Sequence, residues 1–177
     1  MVVGHCFGSL KTGNGRSDCL PEPNNPTLAR NQTVNCPLCR PEYEDILFRT
    51  DKLRVIAVRD EPNAPAFCRV IWQEHTAEMT DLPPADRALL TDAVYRTEAA
   101  MRRVLSPAKI NLASLGNMVP HLHWHVVARF TGDACFPAPI WAPPQRSGAF
   151  RLPENWTEQI KQLLADPDFF PSEGVKP

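Results

Sequence analysis

The sequence predicts an α+β domain in which an antiparallel sheet is crossed by one long helix. Two observations carry this. Short apolar or alternating runs, LRVIAV at 53–58, FCRVIW at 67–72, INLAS at 110–114 and HLHWHVV at 121–127, read as strands bounded by turn residues. Between Pro83-Pro84 and Ser106-Pro107 the apolar positions instead recur at helical spacing. Strands and helices run through once, with no internal repeat and no second domain.

In chain order, residues 1–34 are rich in Gly, Asn, Pro and Ser without any period and are expected to form a flexible N-terminal extension. The folded domain is expected over 35–150, with a C-terminal helix and tail over 151–177. Leu47-Phe48 and LRVIAV, joined at Thr50-Asp51-Lys52, read as a hairpin. DEPNAP at 60–65 is a loop before FCRVIW. Thr80 or Asp81 can cap the helix that follows, entered through Pro83 and Pro84, because early helical positions tolerate a missing N–H. On that helix Leu90, Val94, Thr97, Met101 and Leu105 share one face. After INLAS come a turn at Leu115-Gly116-Asn117 and the histidine-bearing strand. FPAPIWAPPQRSG is too rich in proline for a regular element. A terminal helix places Trp156, Ile160, Leu163 and Leu164 on one side.

Composition excludes several classes. With 19 basic and 20 acidic residues and a net charge of -1, no basic face for duplex nucleic acid is expected, whereas a small phosphorylated ligand needs only a local pocket. No apolar stretch approaches the roughly 20 residues of a membrane span. MVVGHCFGSL lacks the basic leader and long apolar run of a signal peptide, so a cytoplasmic chain with no membrane partner is expected. Of six cysteines, Cys6, Cys19, Cys68 and Cys135 are scattered; Cys36 and Cys39 form CPLC, which reads as a metal clip, a redox pair or two buried thiols.

The segment PHLHWHVVARF, 120–130, holds three of the five histidines. Strand alternation puts His121, His123 and His125 on one face and Leu122, Trp124 and Val126 on the other, with neighbouring imidazoles about 7 Å apart. The row could face water, bind one zinc ion with all three rings, or divide its labour. Division is chemically economical. CPLC supplies two thiolates and needs two more ligands for a tetrahedral zinc site, for which His75 and one member of the row are candidates. A histidine left free can attack phosphorus, since its neutral ring carries a lone pair when the other nitrogen donates to a fixed acceptor. A same-face neighbour could then protonate the leaving group or hold phosphoryl oxygens.

GNMVPHLHWHVVAR resembles the signature of the histidine triad (HIT) family, His-φ-His-φ-His-φ-φ preceded by Gly-(Gln/Asn)-x-Val. The likeness runs over about residues 36–130 and is especially close to the bacterial diadenosine tetraphosphate hydrolase-like branch. It implies a HIT-like fold and a nucleotidyl hydrolase or transferase working through a covalent nucleotidyl-histidine. His123 matches the nucleophile and His125 the phosphate-contacting third histidine. Asn117 and, with a one-residue gap, Asn111 match phosphate or ribose contacts; Met118 would offer its backbone N–H, and Asp60 lies near the family's acidic ribose contact, although an ungapped match puts Arg59 there. Cys36, Cys39, His75 and His121 match the ligands of a structural zinc. The substrate implied is a nucleotide derivative such as a dinucleoside polyphosphate or a nucleoside phosphoramidate, and a homodimer is implied as well. The chain departs from the pattern at Ala128 and Trp72, where prolines are common, and at Phe67, where many members carry a fourth histidine. Phe67 keeps a second class open, a nucleotide-binding regulatory protein with little catalysis.

Overall fold

Thr50 closes the first turn of the sheet. Its N–H donates to the Leu53 carbonyl at 2.8 Å, and its Oγ1 accepts from the N–H groups of Lys52 and Leu53 at 3.2 and 3.1 Å. Such a side-chain-closed turn pairs strands β1 (Asp45–Arg49) and β2 (Leu53–Ala57), with a register shift between Ile46 and Phe48. The computed structural model describes residues 35–169; the expected extension at 1–34, with Cys6, Cys19 and His5, lies outside them.

Strands β3 (Ala66–Trp72), β4 (Lys109–Ala113) and β5 (His123–Arg129) complete a five-stranded sheet in the order β1-β2-β3-β5-β4, every pairing antiparallel. Alternation gives this sheet two different faces. One presents Val55, Ala57, Cys68, Val70, Trp72, Val126 and Ala128 to helices α1 (Pro84–Leu105) and α2 (Trp156–Ala165), forming the main core. The other carries Phe67, Arg69 and Ile71 from β3 opposite Val127, His125 and His123 from β5. The helices fill one side, so the second side is left for chemistry.

On α1, Leu90, Val94, Thr97, Met101 and Leu105 are all buried, as their spacing predicts. Thr97 remains satisfied there by donating its hydroxyl to the Ala93 carbonyl at 2.7 Å. The expected capping is corrected. Thr80 and Asp81 lie in a short 3-10 turn, Met79–Asp81, while Pro83 is the N-cap and makes no side-chain cap bond. The helix starts three residues beyond Asp81, too far for that carboxylate to reach its first free amides. At the other end Ser106 adopts a left-handed conformation, φ 46°, and its N–H bonds to the Arg102 carbonyl before Pro107 stops the helix. Trp156, Ile160 and Leu164 of α2 are buried against the same core, with Leu163 partly so. No helix among the described residues is long and apolar enough to cross a membrane.

Candidate active site and metal centre

Two buried arginines build the frame of the site. Arg54, 2% exposed, forks onto both Glu44 carboxylate oxygens at 2.7 and 2.8 Å and donates to Gln73 and to the Leu38 carbonyl, each at 2.8 Å. The Leu38 bond fixes the loop between Cys36 and Cys39 onto β2. Arg129, at the end of β5, forks onto Asp133 and donates to the Asn111 side chain at 2.8 Å and the Ala138 carbonyl at 2.7 Å. Asp133 in turn accepts from the N–H groups of Phe130, Cys135 and Phe136. Burial pulls the Asp133 pKa up, but these bonds outweigh it and hold the carboxyl below its usual range. The proline-rich arm is thereby pinned over the second sheet face, where Ile140 packs on Phe67 and Val127. As expected, it forms no regular element.

Cys36, Cys39, His75 and His121 converge, with one ligand atom from each lying within 4.8 Å of all the others. His121 Nδ1 is 3.4 Å from Cys36 Sγ and 3.3 Å from Cys39 Sγ; His75 Nδ1 is 3.2 Å from Cys39 Sγ. The donor chemistry fits zinc, two soft sulfurs and two imidazoles at a separation one tetrahedral ion spans. Burial, together with the bond and charge of Cys36, pushes the Cys39 thiol up to about 11, so a cation is needed to hold this sulfur as a thiolate. His121 donates from Nε2 to the Trp72 carbonyl at 2.7 Å, which frees Nδ1 to face the sulfurs. These four residues could hold a zinc ion.

One expectation about the histidine row needs correction. β5 begins at His123, and His121 precedes it in a tight turn whose N–H bonds to Val119, so strand alternation does not aim its ring. The flanking segment is instead held by Trp72 N–H to the Leu122 carbonyl and Leu122 N–H to the Thr76 carbonyl. His123 and His125 do share a face, and their ring centroids lie 4.8 Å apart rather than the strand-rise distance, because the rings tilt edge to face.

His123 donates from Nδ1 to the His121 carbonyl at 2.5 Å. That bond leaves the lone pair on Nε2, and burial, partly offset by this bond, holds the ring's pKa below the usual histidine value. His125 is held down to about 4 by burial and then by the charges of His123 and Arg69. Two neutral imidazoles therefore stand side by side at pH 7. His125 also meets the Phe67 ring at 5.2 Å and the Trp141 ring at 5.4 Å, and its Nδ1 is buried without a partner.

His125 lines one cleft, and Arg69, its partner across the sheet, lines another. One, of about 570 Å³, is lined by Asn111, His125, Val127, Ile140 and Trp141. The other, of about 930 Å³, is lined by Ile56, Val58, Arg59, Asp60 and Arg69. Asn111 and Asp60 thus line different clefts, and Arg59 is tied to Asp45 at 2.6 Å. Asn117 and Met118 sit in the exposed loop before His121, Met118 being 93% exposed. Sequence reasoning missed Arg54, Arg129, Asp133, Trp141 and Arg69. A signal was present for Arg69, the single charge inside the apolar strand FCRVIW. Arg129 and Asp133 offered only an i,i+4 pair with no helix to make it meaningful.

Comparison with known proteins bears on this geometry. The family model described as HIT domain matches residues 40–132. Among curated proteins none matches. A histidine triad protein from Bradyrhizobium japonicum is similar at 26% identity and a TM-score of 0.56, over 67% of this chain and 90% of that one. A histidine triad protein from Sinorhizobium meliloti is similar at 24% identity and a TM-score of 0.56, over 67% of this chain and 88% of that one. A zinc-bound histidine triad family protein from Mycobacterium smegmatis shares the fold at 22% identity and a TM-score of 0.50, over 75% of this chain and 91% of that one.

Proposed function

The chain belongs to the HIT domain family, and on that premise we propose that it is a nucleotidyl hydrolase working through a covalent nucleotidyl-histidine at His123. Its substrates are nucleoside phosphate derivatives, dinucleoside polyphosphates or nucleoside phosphoramidates, as in the diadenosine tetraphosphate hydrolase-like branch. Family membership supports the coarser part of this reading, a nucleotide-binding function. The observation that carries the finer part is the His123 ring, whose Nδ1–H is committed to the His121 carbonyl so that Nε2 is free as a nucleophile. His125 stands beside it to contact phosphoryl oxygens. Asn111, Asn117, the backbone N–H of Met118 and Asp60 serve as nucleotide contacts around the pair.

Zinc at Cys36, Cys39, His75 and His121 has a structural role in this reading. When bound, it charge-compensates two thiolates and fixes the CPLC loop to the segment before β5. It takes no part in bond breaking. The working unit is a cytoplasmic homodimer.

The test is to incubate the protein with diadenosine polyphosphates and with adenosine phosphoramidate, quench, and look for an acid-labile nucleotidyl adduct on His123 by mass spectrometry. An unaltered turnover rate in His123→Gly would sink the nucleophile assignment. Phe67, buried against His125 where a further histidine is common in the family, favours one second reading, a nucleotide-binding regulator. Tight nucleotide binding with neither adduct nor product would select it.

A further inference from the structure

Of the four arginines in the sheet strands, three, Arg54, Arg69 and Arg129, have sharply different surroundings. Arg54 and Arg129 are each locked to a carboxylate and to backbone or amide acceptors. Arg69, in the middle of β3, forms no ion pair among the described residues. Its Nε is buried with no hydrogen-bond partner, and its guanidinium carbon lies 5.2 Å from the centre of the Phe67 ring. A desolvated cation with an unused donor is costly unless something anionic arrives to meet it.

Its position says where that anion would be. Arg69 is paired across the sheet with His125, the other residue of this face with a buried, unpartnered side-chain nitrogen. Arg69 also lines the larger cleft, while His125 lines the smaller. A chain of phosphates running from one cleft to the other would pass over both. Burial lowers the Arg69 pKa and the charges of Asp60 and Glu61 raise it, yet it remains a cation at neutral pH.

We propose that Arg69 is the contact for an anionic, phosphate-bearing leaving group, so that the site favours dinucleoside polyphosphates over substrates that release a neutral amine; this rests on the nucleotidyl-transfer reading above. In the step, His123 Nε2 forms a bond to the α-phosphorus and the bond from that phosphorus to the bridging oxygen breaks. The electron pair stays on the departing polyphosphate, which needs no proton and whose added charge meets the guanidinium. Water then adds hydroxide to phosphorus as the P–N bond breaks; its proton passes to solvent, the ring is left in its starting neutral form with Nδ1–H, and a nucleoside monophosphate is released. An amine leaving group would instead require a proton at nitrogen, and Phe67 has none to give.

The experiment compares the zinc-loaded full chain with Arg69→Gln and Arg69→Lys, all checked for folding by thermal melting. Charge-assisted hydrogen bonds of this kind correspond to roughly 10- to 150-fold. For Arg69→Gln we expect kcat/KM on diadenosine tetraphosphate to fall about 30-fold or more, with a change under about threefold on adenosine phosphoramidate. Inorganic tripolyphosphate binding, measured by calorimetry, should weaken in parallel, and Arg69→Lys should restore part of both losses. Equal losses on the two substrates, or none on the tetraphosphate, would overturn the proposal. A wild-type chain that binds tripolyphosphate through Arg69 but never forms the His123 adduct would instead overturn the hydrolase reading, and with it the choice of leaving group.

Discussion

The ring of His123 is oriented by the main-chain carbonyl of His121, a residue whose own ring faces the two cysteine sulfurs. One residue thus belongs to both centres, through its side chain to the candidate metal cluster and through its backbone to the proposed nucleophile.

It follows that metal loss should be felt at His123. Elemental analysis should find close to one zinc per chain. Cys36→Ser or Cys39→Ser should abolish it, lower the melting temperature, and reduce turnover more than about tenfold, because a misplaced carbonyl no longer selects the His123 tautomer. A full-strength variant without zinc would break the link.

Removing the two histidines should have unequal effects. His123→Gly should lose both adduct and turnover, whereas His125→Ala should still form adduct at a rate lowered by about 10²- to 10⁴-fold. Rapid-quench measurement of adduct appearance separates the two.

Stability should fall as the solution is acidified. His125 has a folded pKa of about 4, below the roughly 6.5 of an unfolded histidine, so the unfolded chain binds more protons between these values. Its contribution is complete above about pH 6.5 and is lost progressively as pH falls toward about 4. Asp133, held below its usual 3.8, adds stability that is present above that value and lost only on further acidification. Urea midpoints that rise between about pH 7 and about pH 4.5 would contradict the sign.

Asp133→Asn should destabilise the domain by about 3 kcal/mol, since it leaves the Arg129 charge buried without its partner. The arm should loosen with it, which limited proteolysis between residues 134 and 148 would detect.

Leu90→Ala, at a fully buried α1 position, should cost about 2–5 kcal/mol in chemical unfolding. Its neighbour Leu89 is 41% exposed, and Leu89→Ala should change stability by under about 0.5 kcal/mol.

Local chemistry decided what could be read from the sequence. The strands and the buried face of α1 were legible because periodicity is written into each segment by the residues that pack. The gathering of Cys36, Cys39, His75 and one histidine of the row was legible because few residue types serve as zinc ligands and the chain has few of them, and the resemblance to the HIT signature singled out His121. Long-range polar partnerships were not legible. Nothing near Arg54 announces Glu44 and the Leu38 carbonyl, and nothing near Arg129 announces the Asn111 side chain. Even the direction of His121 was misjudged from the strand pattern, because the turn to Val119 and the bonds around Leu122 end the strand before it.

The half-exposed Trp141, 5.4 Å from His125, has an optical consequence. Trp72 and Trp156 are buried and Trp124 partly so, leaving Trp141 as the indole that a ligand over the histidine pair would strip of water. Its emission should change as the smaller cleft fills, giving the unlabelled chain an intrinsic signal for occupancy, and Trp141→Phe is the variant in which that signal goes dark.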